Sequence, residues 1–308
     1  MTTISEQFQL AVIIPAFNRW KETADCLERL NADDYPRKLL FLIDDGSTDG
    51  TAEQCRKRFP DVKIISGDGR LWWSGAINLG VAEAMRSGAE LILWLNNDNL
   101  VEPETIKKLV DTYRSSPLRS VICAENRTTA TWELEWRGEP PFWHPDASRW
   151  QDEPVDSPSR PLRHPPGGRG VLIPSICFRE VGLIDQRRFP HYWADHDFHY
   201  RAMSRGYQYL LARGATVWNR PNPPRFGNQV PFTLTWSWSY LTSRRSPMSV
   251  LTLRRLWRRH LPEDEYRRIF GGYITRTLYW ILTGMITRHR WLHLFLKRWR
   301  SSSMWNKR

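Results

Sequence analysis

"LLFLIDDGSTDGT", Leu39 to Thr51, is the stretch on which the fold of this 308-residue chain turns. Five apolar residues, Leu39 to Ile43, stop at two carboxylates, Asp44 and Asp45, and Thr48-Asp49-Gly50-Thr51 then leads into a helix expected over Ala52–Phe59. A short, wholly apolar run offers no polar face to water, so it reads as a strand buried on both sides. The same grammar recurs on either side. "LAVIIP", Leu10 to Pro15, is a buried strand closed by proline, and helical spacing follows over Arg19–Asn31. "VKIIS" is a third strand, Gly75–Ser87 a helix and "LILWL" a fourth strand. "EPETIKKLVDTYR" opens with the acidic residues and proline that suit a helix N-terminus. Such alternation predicts an α/β fold, with a parallel sheet covered by helices on both faces.

After Arg127 the pattern dissolves. Residues 127–166, rich in Trp, Pro and Arg, are expected to form strands and loops over the sheet. "GVLIP" resumes the apolar pattern, and "FPHYWADHDFHYRAMSRG" reads as a loop entering a helix. "YQYLLARGATVWN" is followed by a Pro/Gly-rich break, "RPNPPRFGNQVP".

Ligands of parallel α/β sheets gather at the carboxyl ends of the strands. Three polar clusters stand there: Pro15-Ala16-Phe17-Asn18, Asp44-Asp45-Gly46-Ser47 and Asn96-Asn97-Asp98. Any one of them is explained by a turn or a helix cap, with Asp44 capping the turn and Ser47 and Asp49 the helix. Three on one sheet edge converge on a crevice, and convergence favours a site.

Composition narrows the class. Apolar residues make up 41% of the chain, enough for a core. Cys26, Cys55, Cys123 and Cys177 lie far apart without C-x-x-C spacing, which argues against a zinc site or disulfide framework and fits a reducing cytosol. The opening "MTTISEQFQL" has neither a basic nor a long apolar region, so no signal peptide is expected. The net charge of +12 is concentrated: residues 241–308 hold 16 Lys/Arg against 3 Asp/Glu, while the remaining 29 basic and 30 acidic residues nearly cancel.

"VIIPAFNR", "LIDDGSTDGT", "GAINLGVAEA" and "LNNDN", in that order, resemble the opening motifs of glycosyltransferase family 2. "FPHYWADHDFHYRAMSRGY" resembles the acceptor-side segment of that family, so the likeness spans roughly residues 10–220. The variant with "GDGRLWWSGAINLG" and "LNND" looks closest to bacterial transferases that build surface polysaccharides, rhamnosyltransferase-like members included. The resemblance implies the GT-A fold, with a Rossmann-like, mostly parallel sheet, and transfer of a sugar from a nucleotide-diphosphate sugar.

It also implies residue roles. Asp44 and Asp45 would contact a uracil or thymine ring and its ribose, with Pro15, Phe17, Asn18, Gly46 and Ser47 around them. The D-x-D pattern maps onto Asn96-Asn97-Asp98, making Asp98 the direct ligand of Mg²⁺ or Mn²⁺ and turning Asn96 and Asn97 toward the donor. A single carboxylate ties the cation's affinity to the nucleotide's own phosphates. Gly75 allows close approach of the donor, Asn78 could touch sugar or ribose, and Arg70 could neutralise phosphate. Trp72 and Trp73 line the donor pocket or pack in the core, the sequence favouring neither. Inverting transfer needs a base for the acceptor hydroxyl; Asp195 matches that position and Asp197 is the runner-up, with a helix-terminus role as its alternative. His191 and Trp193 fall on the acceptor side. The chain departs from the family pattern at Ala194, where many members have Glu, and at Asn219, where many have a metal-binding His. "GGRG", Gly167 to Gly170, is too short for a P-loop and suits an acceptor-side loop.

Residues 1–240 are thus expected to form the transferase domain, 1–126 for the nucleotide sugar and 127–240 for the acceptor. Residues 241–308 form a basic tail of Arg and Trp in amphipathic helices, suited to an anionic membrane surface. Its longest uncharged run, Thr277–Thr287, is too short to cross a bilayer. No nucleic-acid module is recognisable. The expected protein is cytoplasmic, peripheral at the inner face of the membrane, and acts on a saccharide or lipid-linked oligosaccharide acceptor. Two rivals stand beside it. A silent sugar-nucleotide-binding scaffold would explain the substituted D-x-D, and a nucleotidyltransferase would need a Gly-rich basic loop that "PAFNRW" lacks. Donor sugar, linkage and oligomeric state are open.

Overall fold

The apolar runs become strands and the periodic segments between them become helices. A computed structural model of the protein describes residues 8–131, 134–136, 159–164, 166–220 and 233–288. The chain divides into two compact units, Met1–Pro221 and Asn222–Arg308.

The first unit opens with β1 (Leu10–Ala16), α1 (Trp20–Ala32), β2 (Lys38–Asp44), α2 (Thr51–Arg58), β3 (Lys63–Ser66), α3 (Trp72–Arg86) and β4 (Leu91–Trp94). It continues with β5 (Asn99–Val101), α4 (Thr105–Arg114), β6 (Ser120–Thr128), β7 (Leu134–Trp136), β8 (Ser159–Leu162), β9 (Val171–Pro174), α5 (Ser175–Val181), α6 (Ala194–Met203) and β10 (Gln208–Asn219). The strands form one sheet in the order β3-β2-β1-β4-β9-β6-β10-β5, with β7 on β6 and β8 on β10. β1 to β4 pair in parallel, as the alternation predicts. β9 then runs antiparallel between β4 and β6, and β5, β7 and β8 are also antiparallel to their neighbours, so the sheet is mixed rather than wholly parallel.

Register places the three polar clusters on one edge. Ile13 pairs with Phe41 on one side and Trp94 on the other, and Ala16 ends opposite Asp44. β1 runs one residue past the proline expected to close it. The reason is that the Leu95 N–H to Ile13 carbonyl bond, 3.1 Å, is the last on the β4 side. Pro15, two residues on, therefore has no partner to disappoint.

α3 lies close on this sheet. A Cβ at Gly80 would stand 2.5 Å from Ile13 Cγ2 and 3.2 Å from the Ile43 side chain, so the helix approaches as only glycine permits. That approach sets the N-terminal end of α3 beside the carboxyl ends of the strands.

The second unit contains α7 (Leu234–Thr242), α8 (Val250–His260) and α9 (Glu263–Arg288). The division after Pro221 precedes the 240/241 boundary expected from charge, because α7, "LTWSWSYLT", carries no charge and a charge criterion cannot see it. α8 is amphipathic: Leu253, Leu256 and Trp257 are buried while Arg254, Arg258 and Arg259 are exposed. Trp257 meets the Tyr273 ring edge-on at 5.3 Å. α9 departs from the basic amphipathic pattern expected of it. It buries Tyr273 and Ile281 yet also exposes Leu278, Tyr279 and Leu282. Among the described residues no helix is long and apolar enough to cross a membrane.

Gly80→Val adds carbon where Ile13 and Ile43 already touch the helix, and should destabilise the first unit by about 1–3 kcal/mol, the cost of overpacking a close-packed core. The shift in the urea unfolding midpoint measures it.

Candidate active site

The first two strand ends are knitted together. Asn18 and Arg19 both take left-handed backbone conformations, φ 57° and 66°. The Asn18 N–H donates to Ser47 Oγ at 2.7 Å, and the Thr48 N–H donates to Asn18 Oδ1 at 2.9 Å. Asp49 accepts from the Trp20 N–H at 2.9 Å and from the Thr51 hydroxyl at 2.5 Å, so one carboxylate ties the starts of α1 and α2. Burial raises its pKa, but these bonds outweigh burial and hold it below the usual carboxylate range. Phe17, at the crest between the loops, is 56% exposed.

Asp44 and Asp45 are both buried, yet they are engaged differently. Asp44 spends Oδ1 on the Ser47 N–H, 3.1 Å. Asp45 accepts the Gly69 and Leu71 N–H groups on Oδ1, at 2.9 and 3.2 Å, and the Trp72 N–H on Oδ2, at 2.9 Å. Asp45 therefore organises the β3–α3 loop, and Asp44 is the carboxylate with more capacity left. Gly46, φ +76°, completes the turn, and a Cβ there would stand 3.1 Å from the Gly69 nitrogen.

The loop so held delivers two tryptophans. Trp72, φ 55°, begins α3 and meets the His191 ring edge-on at 6.4 Å. Trp73 donates from Nε1 to Asn96 Oδ1 at 2.9 Å and packs edge-on against buried Trp94 at 5.7 Å. A Cβ on Gly168 would lie 2.4 Å from Trp73 Cζ2. The question of pocket or core is thus divided: Trp73 is wedged between β4 and the 167–170 loop, and Trp72 stands beside His191. Gly75 sits close over Leu71, whose Cβ would be 3.2 Å from an added Cβ. Arg70 is exposed, and its N–H donates to Asp68.

Asn78 corrects an expectation. Its Oδ1 accepts the Ile184 N–H at 3.0 Å, while Nδ2 donates to the Ile184 carbonyl and to Gln186 Oε1 at 2.9 and 2.8 Å. Both ends of the amide are occupied, so Asn78 fastens α3 to the 184–186 loop rather than touching a sugar.

In the β4–β5 turn the three residues also part ways. The Asn96 N–H donates to Asn99 Oδ1 at 2.9 Å, and Asn97 Nδ2 donates to Thr23 Oγ1 at 2.9 Å. Asp98, 8% exposed, accepts from Arg19 Nη1 at 3.1 Å. Behind the turn runs a buried amide chain: Asn99 Nδ2 donates to Asn219 Oδ1 at 2.8 Å, and Asn219 Nδ2 to Asn126 Oδ1 at 3.2 Å. The oxygen of Asn219, which could have offered a weak ligand where the family places histidine, is thus engaged with Asn99. Asn126 had no signal in the sequence, and the place of Asn99 in "LNNDN" did not give its role, since their partners lie on strands distant in the chain.

On the acceptor side Trp193, φ 68°, turns the chain into α6. Asp195 in its first turn is half-buried, accepting the Gly168 N–H on Oδ2 and the His196 N–H on Oδ1, both at 2.8 Å. Asp197 is wholly buried and paired with Arg201 at 3.0 Å. Arg201 in turn donates to the Val181 and Leu183 carbonyls, both at 2.8 Å, so Asp197 is a structural anion and the runner-up for base is corrected. His191 also meets Tyr192 edge-on at 4.6 Å. Wholly buried His199 lies against Trp94 and meets the Tyr209 hydroxyl through Nδ1 at 2.9 Å. Burial, with smaller contributions from His196 and Arg201, holds its pKa well below 6.5.

A continuous line of contacts now joins the second and third clusters to Asp195: Asp45 holds Trp72, Trp73 holds Asn96, and Trp73 rests on Gly168, which holds Asp195. Among the described residues no three His, Cys, Asp or Glu side chains group into a metal cage. In the β4–β5 turn Asp98 offers a hard, nearly buried carboxylate, and Arg19 already lies against it. That arrangement suits Mg²⁺ or Mn²⁺ held by one carboxylate together with a ligand's phosphate oxygens.

A parallel β1–β4 half continued by antiparallel β9, with the Asn96–Asp98 turn at the end of β4, belongs to a GT-A fold. The mannosyltransferase from Pyrobaculum calidifontis, solved in complex with GDP-Man and Mn²⁺, has the same fold, with a TM-score of 0.57 at 14% identity over 96% of this chain and 81% of that one. Residues 11–163 match the glycosyl transferase family 2 model. The chain belongs to glycosyltransferase family 2. An uncharacterized glycosyltransferase of Rickettsia typhi is 24% identical over 184 residues, 58% of this chain and 54% of that protein. Poly-beta-1,6-N-acetyl-D-glucosamine synthase of Staphylococcus epidermidis is 22% identical over 120 residues, 38% of this chain and 28% of the synthase. The chain thus spans about half of the first relative and less of the second.

His199 gives the fold a pH dependence with a definite sign. Below about 6.5 the unfolded chain takes up a proton that the folded chain refuses, so stability is full above that value and falls as pH drops. The slope is at most roughly 1.4 kcal/mol per pH unit. Urea unfolding at pH 7 and pH 5 should show the loss, and His199→Phe should flatten it even though that variant starts less stable.

Proposed function

We propose that this chain is an inverting, divalent-metal-dependent glycosyltransferase. It moves a hexose or deoxyhexose from a UDP- or dTDP-linked donor to a saccharide or lipid-linked acceptor during bacterial surface-polysaccharide synthesis. The observation that carries the reading is the seat of Trp73, which joins the Asn96–Asp98 turn to the Gly168–Asp195 contact and so sets a donor wall against an acceptor wall. The Pyrobaculum transferase with GDP-Man and Mn²⁺, and the polysaccharide synthase among the relatives, support the class of donor and product.

Asp44, with Phe17, Asn18 and the Gly46–Ser47 turn, would receive base and ribose. Asp98 would hold Mg²⁺ or Mn²⁺ together with the donor's diphosphate, and the cation supplies neutralisation of charge as the sugar–phosphate bond breaks. Asp195 accepts the proton of the acceptor hydroxyl as its oxygen bonds to the anomeric carbon. The bond from that carbon to the diphosphate oxygen breaks on the opposite face, which inverts the centre. Each Asp195 oxygen accepts one backbone N–H and keeps a lone pair, so the carboxylate is held in place and still able to take the proton. Trp193 and His191 flank the acceptor.

The second unit fits an acceptor at a membrane. Exposed Trp238 on α7, and Leu278, Tyr279 and Leu282 on α9, accompany the exposed arginines of α8. Apolar and cationic surface together suit the headgroup region of an anionic bilayer. This would place the enzyme at the cytoplasmic membrane face.

Asp195→Asn should lower kcat by about 10²–10⁴, the usual worth of a positioned base, with donor affinity unchanged in calorimetry. If no UDP or dTDP is released from any sugar donor with Mn²⁺, although nucleotide binds, the silent scaffold is the better reading. Full-length protein should sediment with phosphatidylglycerol vesicles and not with phosphatidylcholine vesicles, and Trp238→Ser with Tyr279→Ser should release it. Equal sedimentation of variant and wild type would end the membrane assignment.

A further inference from the structure

Asp98 is the lone carboxylate of the β4–β5 turn, and it is already paired. We infer that Arg19 is a counter-cation shared between Asp98 and the donor diphosphate: it neutralises Asp98 in the nucleotide-free protein and passes to the diphosphate when donor binds. The inference rests on the proposed placement of a divalent ion at Asp98.

Arg19 is built into this position. Its carbonyl accepts both the N–H and the hydroxyl of Thr23 at 3.0 Å, and the same hydroxyl receives Asn97 Nδ2. The start of α1 and the β4–β5 turn are thereby one assembly. Its backbone is left-handed, as is that of Asn18, a conformation costly for a residue with a long side chain and held by the Asn18 contacts to Ser47 and Thr48. A strained pair of residues, locked by a neighbouring loop, lets the guanidinium reach a carboxylate 79 residues away in sequence.

The exposures differ in a useful way. The Asp98 side chain is 11% exposed and that of Arg19 36%, so one end of the cation lies on the carboxylate while the rest reaches solvent. Its other neighbour, Glu22, stands 3.8 Å from Nε, too far for a strong bond. Arg220, the other nearby arginine, meets Asp98 through its backbone, and its guanidinium is paired with Asp25. Arg19 is therefore the one side-chain cation on the Asp98 carboxylate among the described residues.

Charge accounting favours a shared role. Asp98 and Arg19 cancel, so the nucleotide-free turn is neutral and offers a divalent ion little attraction. A donor diphosphate brings about two negative charges; with Asp98 these match a divalent ion plus Arg19. Arginine also suits phosphate geometrically, through two parallel N–H bonds. Donor and ion then arrive as one unit, and neither gains the full site without the other.

The test needs no knowledge of the donor. Mn²⁺ is titrated into nucleotide-free, full-length protein, with free ion read by electron paramagnetic resonance. Arg19→Gln should bind Mn²⁺ about tenfold or more tightly than wild type, and Arg19→Lys, which keeps the charge, should bind close to wild type. UDP or dTDP, whichever the wild type binds, should bind Arg19→Gln about tenfold more weakly in the presence of Mn²⁺. Because the Thr23 bonds use the Arg19 backbone, helix content should be unchanged in circular dichroism. Unchanged or weaker Mn²⁺ binding by Arg19→Gln, with binding abolished in Asp98→Ala, overturns the role of Arg19 and leaves the ion at Asp98. Mn²⁺ binding that survives Asp98→Ala, or is absent from every variant, removes the ion from Asp98 and the inference with it.

Discussion

Three backbone N–H groups converge on the Asp45 carboxylate, and the arrangement of the strand ends depends on that convergence. Gly69, Leu71 and Trp72 would otherwise end a loop with unpaired donors beside a buried anion. Hydrogen bonds to a charged group are worth about 1.5–3 kcal/mol each, and a stranded partner costs a similar amount. The conformation of the β3–α3 loop is therefore strongly determined. With the close seat of Gly80 on Ile13, it sets both the height and the starting point of α3. Everything downstream inherits that setting: Trp72 beside His191, Trp73 on Asn96, and Asn78 clamped to Ile184.

Much of this was legible in the sequence, for a physical reason. A fully apolar run of strand length has one place to go, and polar residues directly after it must lie at the sheet edge. That logic found β1 to β4 and their three end clusters. It could not find the direction of β9, since "VLIP" reads the same parallel or antiparallel. It could not find β5 either, because three residues carry no period. Nor does it tell which way a polar side chain turns. Asn78 lies at the right end of the right helix, but its partner, Ile184, is 106 residues away. Asp197 was readable in part: residues two apart on a helix point to different faces, and Arg201 at the i+4 position marks a structural pair.

The asparagines give the site a character that an acidic turn would lack. Asn99, Asn219 and Asn126 form a buried chain of amides from β5 across β10 to β6, each giving and accepting a bond. An amide satisfies its neighbours without net charge, so the chain supports the turn from behind at little desolvation cost. The same substitution of amide for carboxylate leaves Asp98 as the only anion of the turn. A site with one anion and one arginine is electrostatically balanced before any ligand arrives.

Trp73 is the joint between the β4–β5 turn and the 167–170 loop. Its indole N–H bonds to the turn that carries Asp98, its ring edge lies on Trp94 in the core, and Gly168 packs on its far side. Gly168 admits no larger residue there, and its N–H is the one that orients Asp195. An aromatic side chain has only two rotatable bonds and here both are fixed by packing, so it holds a spacing that a flexible polar side chain could not. Under the proposed transfer, a base that meets an acceptor hydroxyl within hydrogen-bond reach of a donor's anomeric carbon would need such a spacing. The tryptophan that a sequence reading leaves undecided between pocket and core packs on the core through Trp94 and still reaches the turn of Asp98, because the aromatic core continues up to that turn.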